Sequence, residues 1–493
     1  MIYNFNLGIG WASSGVEYAQ IYRARMFRNI GVDAKFVFTD MFPSENMEHM
    51  TKNIGFLDSE VIWLYTFFTD FKTAPVTYTL SDLEKTFSNM EYTKSREGKI
   101  CRYVFGGSNN FYTAYMVNDH DDFVHRVEMV SNGCLIRKDY FTYGRVYSEY
   151  YAPLDNAAHL YHRRFFNENG SVAYEEIIDD DRVMYKFKDK ILCSKEEFVG
   201  YMVSQLHLTK DDVVLIDRST DIGQSIIMNC KPARVGTVVH ADHFSEKDTN
   251  DDYILWNNFY EYEFNMHKHI DFYICSTQAQ SDLMVQQFEK YYGVTPCVYT
   301  IPVGSLPELK YPKENRKPFS LITASRLASE KHVDWICKAV IQARTEVPEL
   351  SLDIYGEGGE KSKLETIIRE NNASSYIHLM GQHDLSEVYQ NYEAYIAGST
   401  SEGFGLTLME AVGGGLPIIG FDVRYGNPTF IRNGENGFLL KLPGEDKDRV
   451  EALRKGIVDL FKQDLEHCHS VSYLVAKDFL TSSVQEKWRE AVC

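Results

Sequence analysis

The sequence predicts an α/β protein with two parallel-sheet halves and an antiparallel β-rich segment inserted into the first half. Apolar runs of strand length alternate with amphipathic helical stretches in residues 1–70 and 195–305, and again in residues 306–470. Between residues 71 and 194, alternating runs rich in tyrosine and phenylalanine are separated by turn residues instead. At 493 residues, the chain is long enough for two or three domains with full hydrophobic cores.

The composition narrows the class of protein. A net charge of −19 argues against nucleic acid or an anionic membrane as the main partner. The sequence begins with a strand-like run rather than a signal peptide, and its apolar runs are too short for a transmembrane segment. The nine cysteines are scattered and form no CxxC pair, which favours reduced thiols in a cytoplasmic protein over structural zinc.

The chain opens with a strand–helix–strand pattern. Residues 2–9 read as a first strand, and Ser14 and Glu17 have the spacing of a capping box that begins a helix. Residues 34–39 form the next strand. The glycines at this strand-to-helix turn suit a tight turn, and in the functional interpretation the Gly15 region forms one wall of a ligand cleft.

Two asparagine–glycine pairs mark antiparallel hairpins in the inserted segment. They are Asn132-Gly133 and Asn169-Gly170. The aromatic faces of these strands suit either a hydrophobic core or a docking surface for a polypeptide, and the sequence leaves both open. The acidic triplets at residues 119–121 and 179–181 are similar to metal-binding triplets, but they lie in predicted turns, so we expect solvated turns and no metal.

Histidines follow a buried strand late in the first half. Residues 235–240 form the strand, and it ends in His240-Ala241-Asp242-His243. A histidine at the carboxyl end of a parallel strand is well placed to contact a ligand. Zinc would need a third ligand of suitable spacing, and none follows. We expect His240, ahead of His243, to hydrogen-bond the ligand; a helix-capping or surface histidine is the alternative.

Two basic residues stand where the second half begins. After a linker at residues 305–317, a buried strand leads to Arg326 and then Lys331 at the start of a helix. Cations are disfavoured at a helix amino terminus, so this placement favours a functional role for Arg326 and Lys331 over an ordinary basic pair at a helix start. We interpret them as neutralising a diphosphate, most of all as charge builds on a leaving group.

The stretch TSEGFGLTLMEAVGGGLPII, residues 400–419, carries the strongest functional signal. The glycine-bracketed turn Glu402-Gly403-Phe404-Gly405 follows a buried strand and precedes a helix at residues 406–412, whose free amide groups favour a phosphate. Glu402 and Glu410 lie eight positions apart, and their carboxylates can accept hydrogen bonds from sugar hydroxyls. One would hold a ribose and the other a transferred sugar; two solvated glutamates are the alternative.

The Glu-x7-Glu spacing in this setting resembles the GT4-like retaining glycosyltransferases, which use nucleotide sugars. That resemblance implies the GT-B fold, with two Rossmann-like domains. It also implies that Gln382 and His383, in a turn after a strand, contact the uridine diphosphate. The spacing of Arg326 and Lys331 matches the same family pattern.

The likeness extends over nearly the whole chain. The opening YNFNLGIGWASSGVEYAQIYRARMFRNIG, the β-insertion, VVHADHFSE and the second-half motifs resemble the catalytic GlcNAc-transferase subunits of the bacterial accessory-Sec system. This implies UDP-GlcNAc as donor, Ser/Thr hydroxyls of a serine-rich-repeat adhesin as acceptor, and retention of configuration. It also implies a hetero-oligomer with a homologous non-catalytic subunit, in the cytoplasm, with an optional peripheral contact at the inner face of the membrane.

The resemblance assigns roles to domains and residues. Residues 1–70 with 195–305 are the acceptor side, 71–194 bind acceptor or partner, 306–470 bind the nucleotide sugar, and the helix in 471–493 docks back on the first half. The catalytic set is Arg326, Lys331, Glu402 and Glu410. The implied donor-site residues are Gly15, Val16, Glu17, Tyr18, His240, Gln382, His383, Glu402, Gly403, Phe404 and Gly405.

Three alternatives stay open on the sequence. The donor could be UDP-glucose, because nothing fixes the pocket around the sugar 2-position. The acceptor could be a wall polyol-phosphate polymer, although this acidic chain offers little basic surface for one. The chain could be a non-catalytic acceptor-binding subunit, but such a subunit could lose the four catalytic residues, and all four are present. We expect no metal or other cofactor.

Overall fold

The computed structural model describes residues 1–9, 15–42, 45–88, 90–106 and 109–493. The chain divides into two compact units. The first contains Met1–Thr237 and Asn258–Asp271, and the second contains Val238–Asn257 and Phe272–Cys493. Ser14, the predicted helix cap, lies outside the described residues.

The first unit contains most of the strands. They are β1 (Ile2–Asn6), β2 (Ala34–Phe38), β3 (Val61–Trp63), β4 (Tyr92–Glu97), β5 (Ile100–Phe105), β6 (Phe111–Met116), β7 (Val124–Ser131), β8 (Cys134–Phe141), β9 (Arg145–Leu154), β10 (Ala157–Phe166), β11 (Val172–Asp179), β12 (Arg182–Lys186), β13 (Ile191–Leu192), β14 (Val213–Ile216) and β15 (Arg234–Val239), which ends in the second unit. Its helices are α1 (Gly15–Ile30), α2 (Met47–Ile54), α3 (Leu64–Phe67), α4 (Leu80–Lys85), α5 (Lys195–Gln205), α6 (Gly223–Asn229) and α7 (Glu261–Asn265).

Five of these strands run parallel, hydrogen-bonded in the order β15-β14-β1-β2-β3. All four residues of β14 are buried, as expected for a strand covered on both faces. β1 ends at Asn6 rather than at the predicted Ile9. The reason is local: the Asn6 side chain accepts a hydrogen bond from the Leu7 amide and donates one to Gln20 of α1, which takes the chain out of the strand.

The inserted segment is one ten-stranded antiparallel sheet. Strands β4 to β13 pair strictly in chain order. The predicted Asn132-Gly133 turn joins β7 to β8, and both residues have positive φ, 50° and 79°, as a two-residue hairpin requires. The Asn169-Gly170 pair likewise lies between β10 and β11. The antiparallel prediction is confirmed.

The aromatic residues of this sheet supply core. Tyr147, Phe165 and Tyr174 are buried and stack in a row, with ring centroids 5.4 Å and 4.5 Å apart. Phe198 of α5 closes the row, 5.4 Å from Tyr174. Further along the sheet, the short helix α4, which the sequence did not predict, covers a second cluster with Leu80. Of the two interpretations left open for the aromatic faces, core packing is correct for these residues.

The second unit holds the remaining elements. Its strands are β16 (Phe244–Ser245), β17 (Leu255–Trp256), β18 (Phe272–Cys275), β19 (Val298–Thr300), β20 (Ser320–Ala324), β21 (Ser351–Tyr355), β22 (Ile377–Gly381), β23 (Ala394–Ile396), β24 (Ile418–Phe421) and β25 (Gly437–Leu440). Its helices are α8 (Gln278–Tyr292), α9 (Val333–Ala343), α10 (Lys361–Glu370), α11 (Leu406–Gly413), α12 (Gly426–Phe430), α13 (Asp446–Leu460), α14 (Leu465–Ala476) and α15 (Thr481–Val492).

Six of these strands form a parallel sheet in the order β22-β21-β20-β23-β24-β25. Adjacent residues of β20 serve opposite faces: Leu321 packs in the core shared with α9, α10 and α13, and Ile322 in the core shared with α11 and α14. This is a doubly wound, Rossmann-like arrangement. α11 begins at the predicted residue and ends one residue later than predicted. Within the described ranges, every helix is too short or too polar to cross a bilayer.

The carboxyl-terminal helix belongs to the second unit. Leu306 pairs with Leu480 just before α15, and α15 packs against β19. Residues 272–305 lie in the second compact unit, whereas the sequence analysis placed them in the first half. Val484 and Trp488 of α15 are buried, as their spacing indicated. The predicted domain boundaries and the docking surface of this helix stay predictions.

A buried ion pair stabilises the first unit beside β1 and β14. Arg23 of α1 donates two hydrogen bonds to Asp217, of 2.6 Å and 3.0 Å, and the side chains are only 2% and 0% exposed. Asn4 accepts a third bond from the Arg23 guanidinium at 2.8 Å, and Gln20 donates to the Asp217 carboxylate at 2.8 Å. With its charges paired and hydrogen-bonded, this network tolerates burial.

Replacing Asp217 by Ala should destabilise the first unit strongly, because it leaves the Arg23 guanidinium buried without its counter-charge. Removing one member of a buried pair costs roughly 3–5 kcal/mol of unfolding free energy. Differential scanning calorimetry should show a lower unfolding midpoint for this variant. The control is Asp251→Asn, which removes a fully exposed partner of Lys290 and should leave the midpoint unchanged. Equal midpoints for Asp217→Ala and the parent chain would contradict the role of the network.

Candidate active site

Two neighbouring strands of the second unit deliver the predicted catalytic residues to one edge of their sheet. β20 leads to Arg326 and to a 3₁₀ turn at Ser329–Lys331, and β23 leads to Glu402. β20 and β23 are hydrogen-bonded neighbours running in the same direction. Their carboxyl ends therefore lie side by side, where ligands bind in open α/β sheets.

Lys331 and Glu402 form an ion pair at this edge. The Lys331 ammonium donates to Glu402 Oε2 at 2.6 Å. The two side chains are 23% and 20% exposed, so the pair is partly shielded from water but still open to a ligand. The sequence indicated both residues but not their contact.

The glycine turn ends in an open helix terminus. Gly405 has a φ of 86° and forms the N-cap of α11, and a side chain there would press against Leu408 at 2.7 Å. Among the described residues, no side chain caps this helix. The Leu408 and Met409 amides donate to the Gly405 carbonyl, so the amides available to an anionic ligand or solvent are those of Leu406 and Thr407. A phosphate at this end would meet the positive end of the helix dipole next to Lys331.

Glu410 lies inside α11 and is partly buried. The Tyr389 hydroxyl donates to Glu410 Oε2 at 3.0 Å. Burial raises the pKa of Glu410, and the hydrogen bond from Tyr389 opposes that rise. A carboxylate has about four acceptor positions, so one bond from tyrosine leaves room for ligand hydroxyls. Tyr389 is a site component that no sequence pattern marked.

Arg326 points into solvent. Its side chain is 75% exposed and forms an ion pair with Glu330, four residues further on, at 2.7 Å. Such exposed pairs are weak, so the guanidinium is available to an anion at little cost. Arg326 therefore lies beside the site, but its side-chain position does not define a contact with a ligand.

The predicted nucleotide contacts lie on a neighbouring turn. Gln382 and His383 follow β22 and are exposed. His383 Nε2 lies 2.8 Å from the Met380 carbonyl oxygen, and its ring meets Tyr355 edge-on at 5.9 Å. Because β22 belongs to the same parallel sheet as β20 and β23, this turn emerges at the same edge as the predicted catalytic residues.

The other donor-site predictions fall into two groups. In the second unit, the carbonyl oxygen of His240 lies 3.9 Å from where a Cβ of Gly403 would stand, so the structure brings His240 to the glycine turn. Phe404 is buried against Phe430, with centroids 5.2 Å apart, which leaves only its main chain to a ligand. Gly15, Val16, Glu17 and Tyr18 form the first turn of α1 in the first unit, where Tyr18 is 55% exposed.

The second histidine of the His240-Ala241-Asp242-His243 run is not a surface group. His243 is fully buried, with Nε2 2.7 Å from Gln287 Oε1 and Nδ1 3.3 Å from the Tyr425 hydroxyl. Of the two acidic triplets, residues 179–181 are exposed where β11 turns into β12, as expected, whereas Asp121 of the other is only partly exposed and accepts a hydrogen bond from Asn118. In the part of the chain that the structure describes, no three His, Cys, Asp or Glu side chains form a metal-binding group.

Two known families match separate parts of the chain. Residues 308–473 match the family described as glycosyl transferases group 1, and residues 93–189 match the GtfA extended beta-sheet domain. The second match covers most of the antiparallel sheet, and the first covers most of the sheet that carries Lys331 and Glu402.

Individual relatives match over their whole length. The UDP-N-acetylglucosamine--peptide N-acetylglucosaminyltransferase GtfA subunit of Streptococcus gordonii is 52% identical over 99% of this chain and 97% of its own. A crystal structure of a GtfA/B complex superposes with a TM-score of 0.95 at 52% identity, covering 100% and 99% of the two chains. The pneumococcal O-GlcNAc transferase GtfA in complex with UDP and GlcNAc gives 0.84 at 49% identity, covering 100% and 98%.

These relatives confirm the predicted GT-B class and the assignment as a glycosyltransferase. Identity near one half extends from the first strand to the last helix, well beyond what a shared fold alone requires. The chain belongs to the GtfA family of glycosyltransferases.

Proposed function

We propose that this chain transfers N-acetylglucosamine from UDP-GlcNAc to Ser/Thr hydroxyls of a serine-rich-repeat adhesin, with retention of anomeric configuration. The observation that carries the proposal is the Lys331–Glu402 ion pair at the open amino end of α11. It puts a cation, a phosphate-binding helix terminus and a hydroxyl-accepting carboxylate within one small site. The names of relatives near 50% identity support the donor and the peptide acceptor.

Donor binding changes the partners of Lys331, Arg326 and Glu402. The diphosphate takes the amide groups of α11 together with Lys331, and Arg326 leaves its weak surface pair to join them. Glu402 then accepts hydrogen bonds from hydroxyls of the transferred sugar. A carboxylate suits neutral hydroxyls there because it would repel the diphosphate itself.

The nucleoside is held further along the sheet edge. Glu410, already oriented by Tyr389, accepts from the ribose hydroxyls. Gln382 and His383 contact the uridine diphosphate from the turn after β22. His240, beside Gly403, hydrogen-bonds the sugar or phosphate, and the first turn of α1, Gly15 to Tyr18, supplies the remaining donor contacts.

The transfer step needs no protein nucleophile. The acceptor hydroxyl attacks the anomeric carbon on the face that the diphosphate leaves, so a C–O bond forms as the bond to phosphate breaks. The departing phosphate oxygen takes the hydroxyl proton. Arg326, Lys331 and the α11 terminus stabilise the charge that grows on this oxygen. Two cations and a helix terminus can do this without a metal ion.

The chain acts with a partner. We propose a hetero-oligomer with a homologous non-catalytic subunit that holds the acceptor. This complex would belong to the accessory-Sec system and work in the cytoplasm, with an optional peripheral contact at the inner face of the membrane. A related GtfA has been crystallised as a GtfA/B complex, which supports this arrangement. The antiparallel sheet is the part of the chain we assign to acceptor or partner binding.

Purified chain should add a single GlcNAc to a Ser/Thr-rich peptide when given UDP-GlcNAc and the partner subunit. Released UDP and the peptide mass, read from the same reaction, test donor and acceptor together. UDP-glucose in a parallel reaction tests the choice of sugar. A hexose gain with UDP-glucose but no gain with UDP-GlcNAc would contradict the proposed donor, and no UDP release under any condition would contradict the catalytic role.

Glu402→Gln should lower the transfer rate by about 10²–10³-fold, since the amide neither pairs with Lys331 as an ion nor offers a full set of acceptor positions. Initial rates at saturating donor measure the loss, and an unchanged unfolding midpoint shows that folding is intact. Glu435→Gln, in an exposed turn of the same unit, is the matched control and should keep its activity. A fully active Glu402→Gln protein would rule out the proposed role of Glu402.

Transfer should proceed at the same rate in excess EDTA as in buffer with Mg²⁺ or Mn²⁺, because side-chain cations stabilise the leaving diphosphate. The check is a rate comparison on protein dialysed against chelator. The Arg326→Met variant makes the test more specific. Its transfer rate should be low, and added Mg²⁺ should not restore that rate. A rate that falls in EDTA and returns with a divalent cation would contradict the metal-free mechanism.

A further inference from the structure

The main chain of Glu402 is hydrogen-bonded to a short segment between β24 and α12, residues Arg424 to Gly426. The Glu402 amide donates to the Arg424 carbonyl at 3.1 Å, and the amides of Tyr425 and Gly426 donate to the Glu402 carbonyl at 2.6 Å and 2.7 Å. The two segments approach so closely that a Cβ on Gly426 would lie 2.3 Å from the Phe404 carbonyl oxygen. The position of this segment therefore sets the position of the Glu402 main chain.

The position of that segment depends on the Tyr425 side chain. Tyr425 is buried, and its hydroxyl lies 3.3 Å from His243 Nδ1. The two rings are nearly parallel, 24° apart with centroids separated by 6.0 Å. On its other side, His243 Nε2 lies 2.7 Å from Gln287 Oε1 of α8. A chain of three side chains thus runs from α8 to the main chain of Glu402.

The proton positions along this chain follow from burial. Burial lowers the pKa of His243 to about 4, so the imidazole is neutral near pH 7. A neutral ring whose Nε2–H donates to Gln287 Oε1 presents Nδ1 as an acceptor toward the Tyr425 hydroxyl, 3.3 Å away. Burial raises the pKa of Tyr425, and the charge of the Asp242 carboxylate and a hydrogen bond to it raise that pKa further, so the hydroxyl stays protonated and faces both Asp242 and His243.

The two ends of the histidine run lie near the glycine turn and near the segment that holds it. The His240 carbonyl oxygen lies 3.9 Å from the Cβ position of Gly403, and His243 Nδ1 lies 3.3 Å from the Tyr425 hydroxyl. A histidine that only filled space in the core would need no such directed bonds. Hydrogen bonds with set directions fix where a segment lies more narrowly than apolar packing does.

We propose that the Gln287–His243–Tyr425 chain sets the position of Glu402 for sugar transfer, so that His243 and Tyr425 are positioning residues. This inference rests on the role proposed above for Glu402. Neither side chain need touch the donor: each acts through the main chain of residues 402 and 425. A misplacement near 1 Å at a catalytic group lowers a rate by about 100-fold, which is the scale expected here.

The test is Tyr425→Phe, which removes one hydroxyl and keeps the ring. We expect kcat to fall about 10- to 100-fold while KM for UDP-GlcNAc changes little, because the diphosphate and uridine contacts lie elsewhere. Rates are normalised to the number of UDP-binding sites from titration calorimetry, so misfolded protein does not count. Tyr291→Phe, which also removes a hydrogen-bonding hydroxyl in the second unit, is the control and should match the parent chain.

A second pair of variants separates positioning from packing. His243→Asn keeps a polar group near the Nδ1 position, and His243→Leu keeps only volume. We expect Asn to retain several-fold more kcat than Leu. In addition, Tyr425→Phe placed on Glu402→Gln should cause no further loss, because both act on one group.

The outcomes distinguish the two proposals. Parental kcat in Tyr425→Phe, together with the expected slow Glu402→Gln, would overturn the positioning role and leave the proposed function standing. An active Glu402→Gln would overturn the role of Glu402 itself. Equal kcat in His243→Asn and His243→Leu, or a change confined to KM, would also overturn the positioning role.

Discussion

The ion pair between Lys331 and Glu402 is the contact on which the candidate site depends. Without Glu402, the free protein would hold a lysine beside the positive end of α11 with no counter-charge. The Glu402 carboxylate supplies that counter-charge to Lys331. In the proposed donor complex, the diphosphate takes over the lysine, and the sugar hydroxyls occupy the released carboxylate. UDP alone could replace Glu402 as the partner of Lys331, but it has no sugar hydroxyls to bind the released carboxylate. The proposed site therefore binds the intact donor in preference to the nucleotide product.

Much of the local structure could be predicted because its causes are local. The glycine turn and helix of α11 follow from a run of adjacent residues, and the hairpin at Asn132-Gly133 follows from a two-residue signal. The prediction of Glu402 as a site residue rests on the same kind of pattern. Strand ends were less accurate: β1 stops at Asn6, where the Asn6 side chain bonds to the Leu7 amide and to Gln20 of α1.

The contacts that organise the site could not be predicted this way. Lys331 and Glu402 are 71 residues apart, and His243 and Tyr425 are 182 apart. Nothing near His243 in the sequence reveals that it is buried, since the residues that cover it come from α8 and from the segment before α12. Which partners meet is decided by strand order in the sheets, and periodicity does not encode that order.

The antiparallel sheet of the first unit has a consequence for the order of assembly. Each of its ten strands pairs with its neighbour in the chain, so every pairing closes only a short loop. β1, by contrast, pairs with β14, where Ile2 meets Val213, and the whole inserted sheet lies between them in the sequence. During synthesis the inserted sheet can be complete before β14 has left the ribosome. β1 therefore stays unpaired on that side until β14 has been synthesised, after the whole inserted sheet.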